Sequence, residues 1–145
     1  MPDKDALTTA LPALPVLPPV RRIFRAMVAT VVPEAAGLTD EGWCDVEQMV
    51  ETALRNRPEA MKRQLRFAMR GIQWLAVLRH GKPFTRLAPS LRGPFLLSLE
   101  NHRMQIIRVG FWGLRTLALL GYYARPEAAE EIGYTADRRG WEALR

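Results

Sequence analysis

The chain has 145 residues, 48% apolar and 25% charged, a composition that excludes disorder and suits one globular domain with a core. Its single cysteine, Cys44, excludes an internal disulfide and a cysteine-rich zinc site, and two histidines, His80 and His102, are too few for a histidine-built metal centre. The net charge of +6 is uneven: −4 over residues 1–54, +11 over 55–115 and −1 over 116–145. A basic middle suits an acidic protein, an anionic membrane surface or nucleic acid, and charge alone does not choose among them.

Residues 1–18, with prolines at 12, 15 and 18, are expected to form an extended arm rather than a helix. Its apolar residues Leu11, Leu14, Val16 and Leu17 should lie in a groove of this domain or of a partner. The helical domain then occupies residues 19–145. Arg21-Arg22 followed by an apolar stretch invites comparison with a twin-arginine export signal. The apolar part ends after seven residues at Pro33-Glu34, so a first helix, Pro19 to Val32, is preferred, with Ile23, Met27 and Val31 inward.

Thr39 or Asp40 can cap a second helix over 40–55, with Trp43, Val46, Val50 and Ala53 inward and Cys44 a buried structural thiol. Pro58 fits the first turn of a long helix, 58–80, closed by Gly81-Lys82-Pro83. Met61, Leu65, Ile72 and Leu75 make one apolar face of it, and Phe67, Gly71, Trp74 and Leu78 a second. Lys62, Arg63, Arg66 and Arg70 form a basic stripe on the third side, solvated or used for docking. A helix from Pro89 should break or tighten at Gly93-Pro94, with Leu91, Phe95, Leu96 and Leu99 inward. A short helix begins at Pro126, and an irregular tail follows.

The most apolar run, Met104 to Gly121, is expected to be the central buried helix of the domain. Its reach of about 27 Å falls just short of a bilayer core, and Arg108 and Arg115 would each cost roughly 2.5–3.5 kcal/mol at a bilayer centre. These arginines share a face with Trp112, so guanidinium–indole contacts are expected, and carboxylate partners if the charges are buried. Gly110, Gly113 and Gly121 can admit a close neighbour, and Gly121 can serve as the C-terminal cap. No segment alternates as a strand. The fold expected is all-α, about five or six helices around this central one.

The chain carries no G-x-G-x-x-G, C-x-x-C-H, H-E-x-x-H or G-x-S-x-G. It thus offers no catalytic, cofactor-binding or metal-binding residues of its own, and reads as a binding subunit. Tyr122, Tyr123, Tyr134 and Trp141 cluster after the central helix. They are candidate partner-binding residues, or else they fasten the tail to this chain's own helices.

The stretch from Gly81 to Trp141 carries Phe84, Leu87 and Arg92; Phe111, Arg115 and Leu117; Gly121, Tyr122, Tyr123 and Pro126; and Ile132-Gly133-Tyr134 before Gly140-Trp141. On these residues it resembles the gluconate 2-dehydrogenase subunit 3 family. Val31-Val32-Pro33-Glu34 is similar to that family's first helix end, and related sequence stands at the front of long-chain alcohol oxidases. The resemblance implies a non-catalytic small subunit that folds or stabilises a larger flavoprotein subunit, which holds FAD and oxidises an alcohol, sugar or sterol. Arg108, Trp112, Arg115, Tyr122, Tyr123, Gly133, Tyr134 and Trp141 are the candidate partner-binding residues. Exported members carry the signal for both subunits and pass electrons to a multihaem subunit. The weak twin-arginine segment here favours a cytoplasmic or membrane-surface complex over a periplasmic one. A basic module binding nucleic acid, or an anionic membrane through the 58–80 stripe, is the competing expectation.

Overall fold

Helix bounds follow the local chemistry of the chain. The computed structural model describes residues 14–131 and Gly133. Among them are six α-helices and no strand: α1 Arg21–Val31, α2 Asp40–Leu54, α3 Glu59–His80, α4 Pro89–Glu100, α5 Gln105–Tyr123 and α6 Pro126–Glu131. Short 3-10 turns occupy Pro18–Val20, Pro33–Gly37 and Phe84–Arg86. The Thr39 hydroxyl accepts a hydrogen bond from the Gly42 amide at 3.2 Å and starts α2. Gly81, at φ +72°, takes the left-handed conformation that closes α3, its amide donating to the Val77 carbonyl at 2.8 Å.

Helix α5 is the hub, packed against all five other α-helices. Its Phe111, Leu114, Ala118 and Tyr122 enter the core beside Phe24, Met27 and Val28 of α1 and Val46 and Val50 of α2. At Gly121 the approach of α2 is so close that an added Cβ would lie 2.8 Å from a Val50 methyl and 3.2 Å from the Val46 carbonyl. Gly121 therefore works as a contact point inside α5, which runs two residues further, and not as its cap. The Glu47 carboxylate on α2 accepts from Arg25 at 2.6 Å and Arg21 at 3.0 Å, fastening α1 to α2. The Arg21-Arg22 segment is thus the first turn of a core helix.

Residues 14–17 meet the domain directly. Val16 and Leu17 are buried in the core, and both their amides donate to the Glu51 carboxylate, at 3.1 and 2.6 Å. Leu14 remains exposed, and Leu11 lies outside the described residues.

Several burial expectations are corrected. α4 runs unbroken through Pro94. The donor Pro94 lacks would serve Ser90, and both residues are exposed, so water can satisfy that carbonyl. Leu91 is exposed, and on α2 Leu54 rather than Ala53 completes the inward stripe, one residue further round the helix. Cys44 is exposed, because the turn that buries Val46 and Glu47 points it away. Lys62 is not part of a solvated stripe. Its side chain is buried, with its ammonium donating to Glu59 at 2.9 Å and to the Arg55 carbonyl at 3.3 Å. The largest correction concerns α5. It is buried on one side only, and Met104, Ile106, Val109 and Leu120 face outward.

Candidate interaction surface

The second apolar face of α3 also fails to find a place in the core. Phe67, Trp74 and Leu78 recur at helical spacing and are 79%, 69% and 82% exposed, and across from them Ile106 and Val109 of α5 are 76% and 62% exposed. Isolated exposed leucines are ordinary, but large apolar side chains gathered on two packed helices mark an interaction site.

Between the two helices lies an open groove of about 670 Å³, walled by Phe67, Ala68 and Gly71 of α3 and by Ile106, Val109 and Gly110 of α5. Small residues make it. A Cβ on Gly110 would stand 3.9 Å from that of Ala68, so the backbones converge there and leave a trough between the larger side chains. Leu99 of α4 and Ile72, Leu75, Phe111 and Leu114 from the core side complete the walls, where only Arg63 and Gln64 are polar.

Along the outer edge of α3 run Arg63, Arg66 and Arg70, and among the described residues none of them forms a salt bridge. Three carboxylates do form pairs: Glu47 holds Arg21 and Arg25, Glu59 holds Lys62, and Glu100 lies 3.8 Å from Arg115. The hydrogen bond from Lys62 lowers the Glu59 pKa below its ordinary value.

The residues singled out from the sequence fall in three places. Arg108, Trp112 and Arg115 do share a side of α5. Arg115 stacks over Trp112 at 5.2 Å, and Arg108 donates to the His102 carbonyl at 3.0 Å. Trp112 keeps half of its surface exposed and borders the outward apolar side of α5. Tyr122 is buried in this chain's own core with Arg125 at 4.6 Å from its ring, and burial raises its phenol above the ordinary range. Tyr123 stacks edge-on against Tyr122 and is partly exposed. Gly133, at φ +71°, follows α6 and donates to the Glu130 carbonyl at 3.0 Å. Tyr134 and Trp141 lie outside the described residues.

Among the described residues no three histidine, cysteine or carboxylate side chains are gathered as a metal site. His80 packs edge-on against Phe95, and the His102 imidazole accepts from the Met104 amide at the start of α5. No described helix is long and apolar enough to cross a membrane.

The family model described as gluconate 2-dehydrogenase subunit 3 matches residues 20–143. The chain belongs to the gluconate 2-dehydrogenase subunit 3 family. The match takes in α1, α2 and α3 as well as the Gly81–Trp141 stretch, so both walls of the groove lie within it. The family name describes one subunit of a multi-subunit dehydrogenase, which implies a partner subunit. Searches of curated proteins and of solved structures give no match.

Phe67, Trp74, Leu78, Ile106 and Val109 were legible from the sequence as apolar helix positions but not as a docking face. One signal could have found them. α3 carries two apolar faces, more than a helix packed along one side of a domain buries.

Proposed function

We propose that this chain is the non-catalytic small subunit of a flavin-dependent dehydrogenase. It binds and stabilises a larger subunit that holds FAD and oxidises an alcohol, a sugar or a sterol. The observation that carries the reading is the exposed apolar face of α3 and α5, set on a helical domain. A subunit of a dehydrogenase family needs such a face toward its partner.

Stabilisation follows from mass action: a chain that binds the folded flavoprotein and not its unfolded form adds RT ln(1 + [L]/Kd), about 2.7 kcal/mol at a hundredfold excess over Kd. The proposed location is the cytoplasm or a membrane surface. Phe24, Met27 and Val28, just after Arg21-Arg22, are core residues that a cleaved signal would remove.

The test is the flavin retention and thermal half-life of the large subunit, purified with and without this chain. Both should rise in its presence, while the chain alone oxidises no substrate. Equal half-lives and equal flavin content would contradict the proposal.

A further inference from the structure

We infer that the groove between α3 and α5 receives an acidic amphipathic helix of the partner subunit. This rests on the small-subunit reading above and adds to it the element of the partner that is recognised.

The walls dictate the occupant's backbone. Both are helices, with no strand edge to pair with, and their polar side chains are limited to Arg63 and Gln64. An extended peptide laid there would leave its amides and carbonyls without partners, whereas a helix satisfies its own. The α3 wall runs from Ala60 to Leu75, a length of about 22 Å at 1.5 Å per residue, which matches a helix of about four turns. Such a helix presents apolar side chains at every third or fourth position, the spacing of Phe67, Gly71 and Leu75 along the α3 wall.

The border dictates its charge. Arg63, Arg66 and Arg70 follow the apolar row along α3, without a carboxylate in ion-pairing distance among the described residues, where Arg21, Arg25, Lys62 and Arg115 are the basic side chains that are paired. The residues of the groove walls include no aspartate or glutamate. A second copy of this chain is therefore a poor occupant. A two-fold contact sets the same face on both sides, and Glu59 at the head of this arginine row, already held by Lys62, offers a single carboxylate against three arginines. A partner helix with apolar residues on one side and aspartates or glutamates along one flank matches both features, with charge supplying orientation and encounter rate.

The experiment places a photo-reactive benzoylphenylalanine at position 67, replacing the exposed Phe67, in the complex isolated from native cells with its flavoprotein. Cross-linked peptides are sequenced by mass spectrometry. The inference expects one segment of the flavoprotein with apolar residues three and four apart and acids on one flank. It also expects the variant carrying Arg63→Glu, Arg66→Glu and Arg70→Glu to bind roughly tenfold more weakly, with a shallower salt dependence. These arginines lie outside the core, so helix content measured by circular dichroism should be unchanged.

A flavoprotein that co-purifies but cross-links from position 67 through a strand or a basic segment, or not at all, overturns the inference and leaves the small-subunit reading standing. Cross-links to a second copy of this chain overturn it in favour of a homodimer. Binding to phosphatidylglycerol vesicles that Phe67→Ser abolishes, with no cross-link to the flavoprotein, overturns it in favour of a membrane contact. If no flavoprotein co-purifies with the unmodified chain, the small-subunit reading fails first and the inference with it.

Discussion

Gly121 and Gly113 lie on the same helix and differ in what surrounds them. At Gly121 an added methyl meets Val50 and the Val46 carbonyl, and at Gly113 it meets nothing within 4 Å. Alanine gains the same helix propensity at both, about 1 kcal/mol. Valine is stiff at its β-carbon and a carbonyl cannot move alone, so the gain at 121 is offset by overpacking. Gly113→Ala should stabilise the chain, and Gly121→Ala should fall about 1–3 kcal/mol below it in urea unfolding. Glu47 offers a second residue-scale test. Glu47→Gln leaves Arg21 and Arg25 without their anion, and because both arginines are partly exposed the loss should be about 1–2 kcal/mol. Glu59 is solvent-exposed, but its carboxyl pKa is lowered by Lys62. Its contribution is full above the ordinary carboxylate pKa and is lost as pH falls through the lowered folded value. Glu59→Gln should flatten that acid limb of the stability profile.

Among the elements, α3 and α5 hold most of what the sequence left undecided. Helix bounds were legible: Thr39 as a cap, Gly81 as a stop, and the prolines at 58, 89 and 126 place the ends of four helices within a residue or two. Periodicity also found every apolar stripe. It could not say which stripe a helix buries in its own domain and which it keeps for another, because both are written with the same residue types. Phe67, Trp74 and Leu78 read as a second apolar face with nothing to say what covers it, and Ile106 and Val109 as part of a buried helix, yet all five are exposed. Lys62 and Cys44 were misplaced by a different cause. Each sits about one turn from residues of opposite burial, and a small rotation of the helix decides between them. Tyr122, read as a partner contact or as a fastener, is placed by the structure in the chain's own core. Phe67→Ser and Trp74→Ser, by contrast, should shift unfolding by less than about 0.5 kcal/mol, as exposed positions do. The same changes should lower the binding of an environment-sensitive hydrophobic dye to the isolated chain.

Across the whole molecule, charge and apolar surface are distributed together. The +11 middle segment contains α3, α4 and much of α5, so the basic surface and the open groove belong to the same side of the sequence. The acidic N-terminal third contributes Glu47 and Glu51, which are used internally to hold α1 and the residues entering it. The result is a domain that uses Glu47, Glu51 and Glu59 within its own fold and offers Arg63, Arg66 and Arg70 outward. The central claim is that the α3–α5 face is what holds the partner subunit. The most direct measurement compares flavin absorbance co-eluting with the tagged wild-type chain and with a Phe67→Asp, Val109→Asp double variant, both checked for equal helix content. The account predicts a yellow complex for the wild type and a colourless, folded chain for the variant. An equally yellow variant would contradict it.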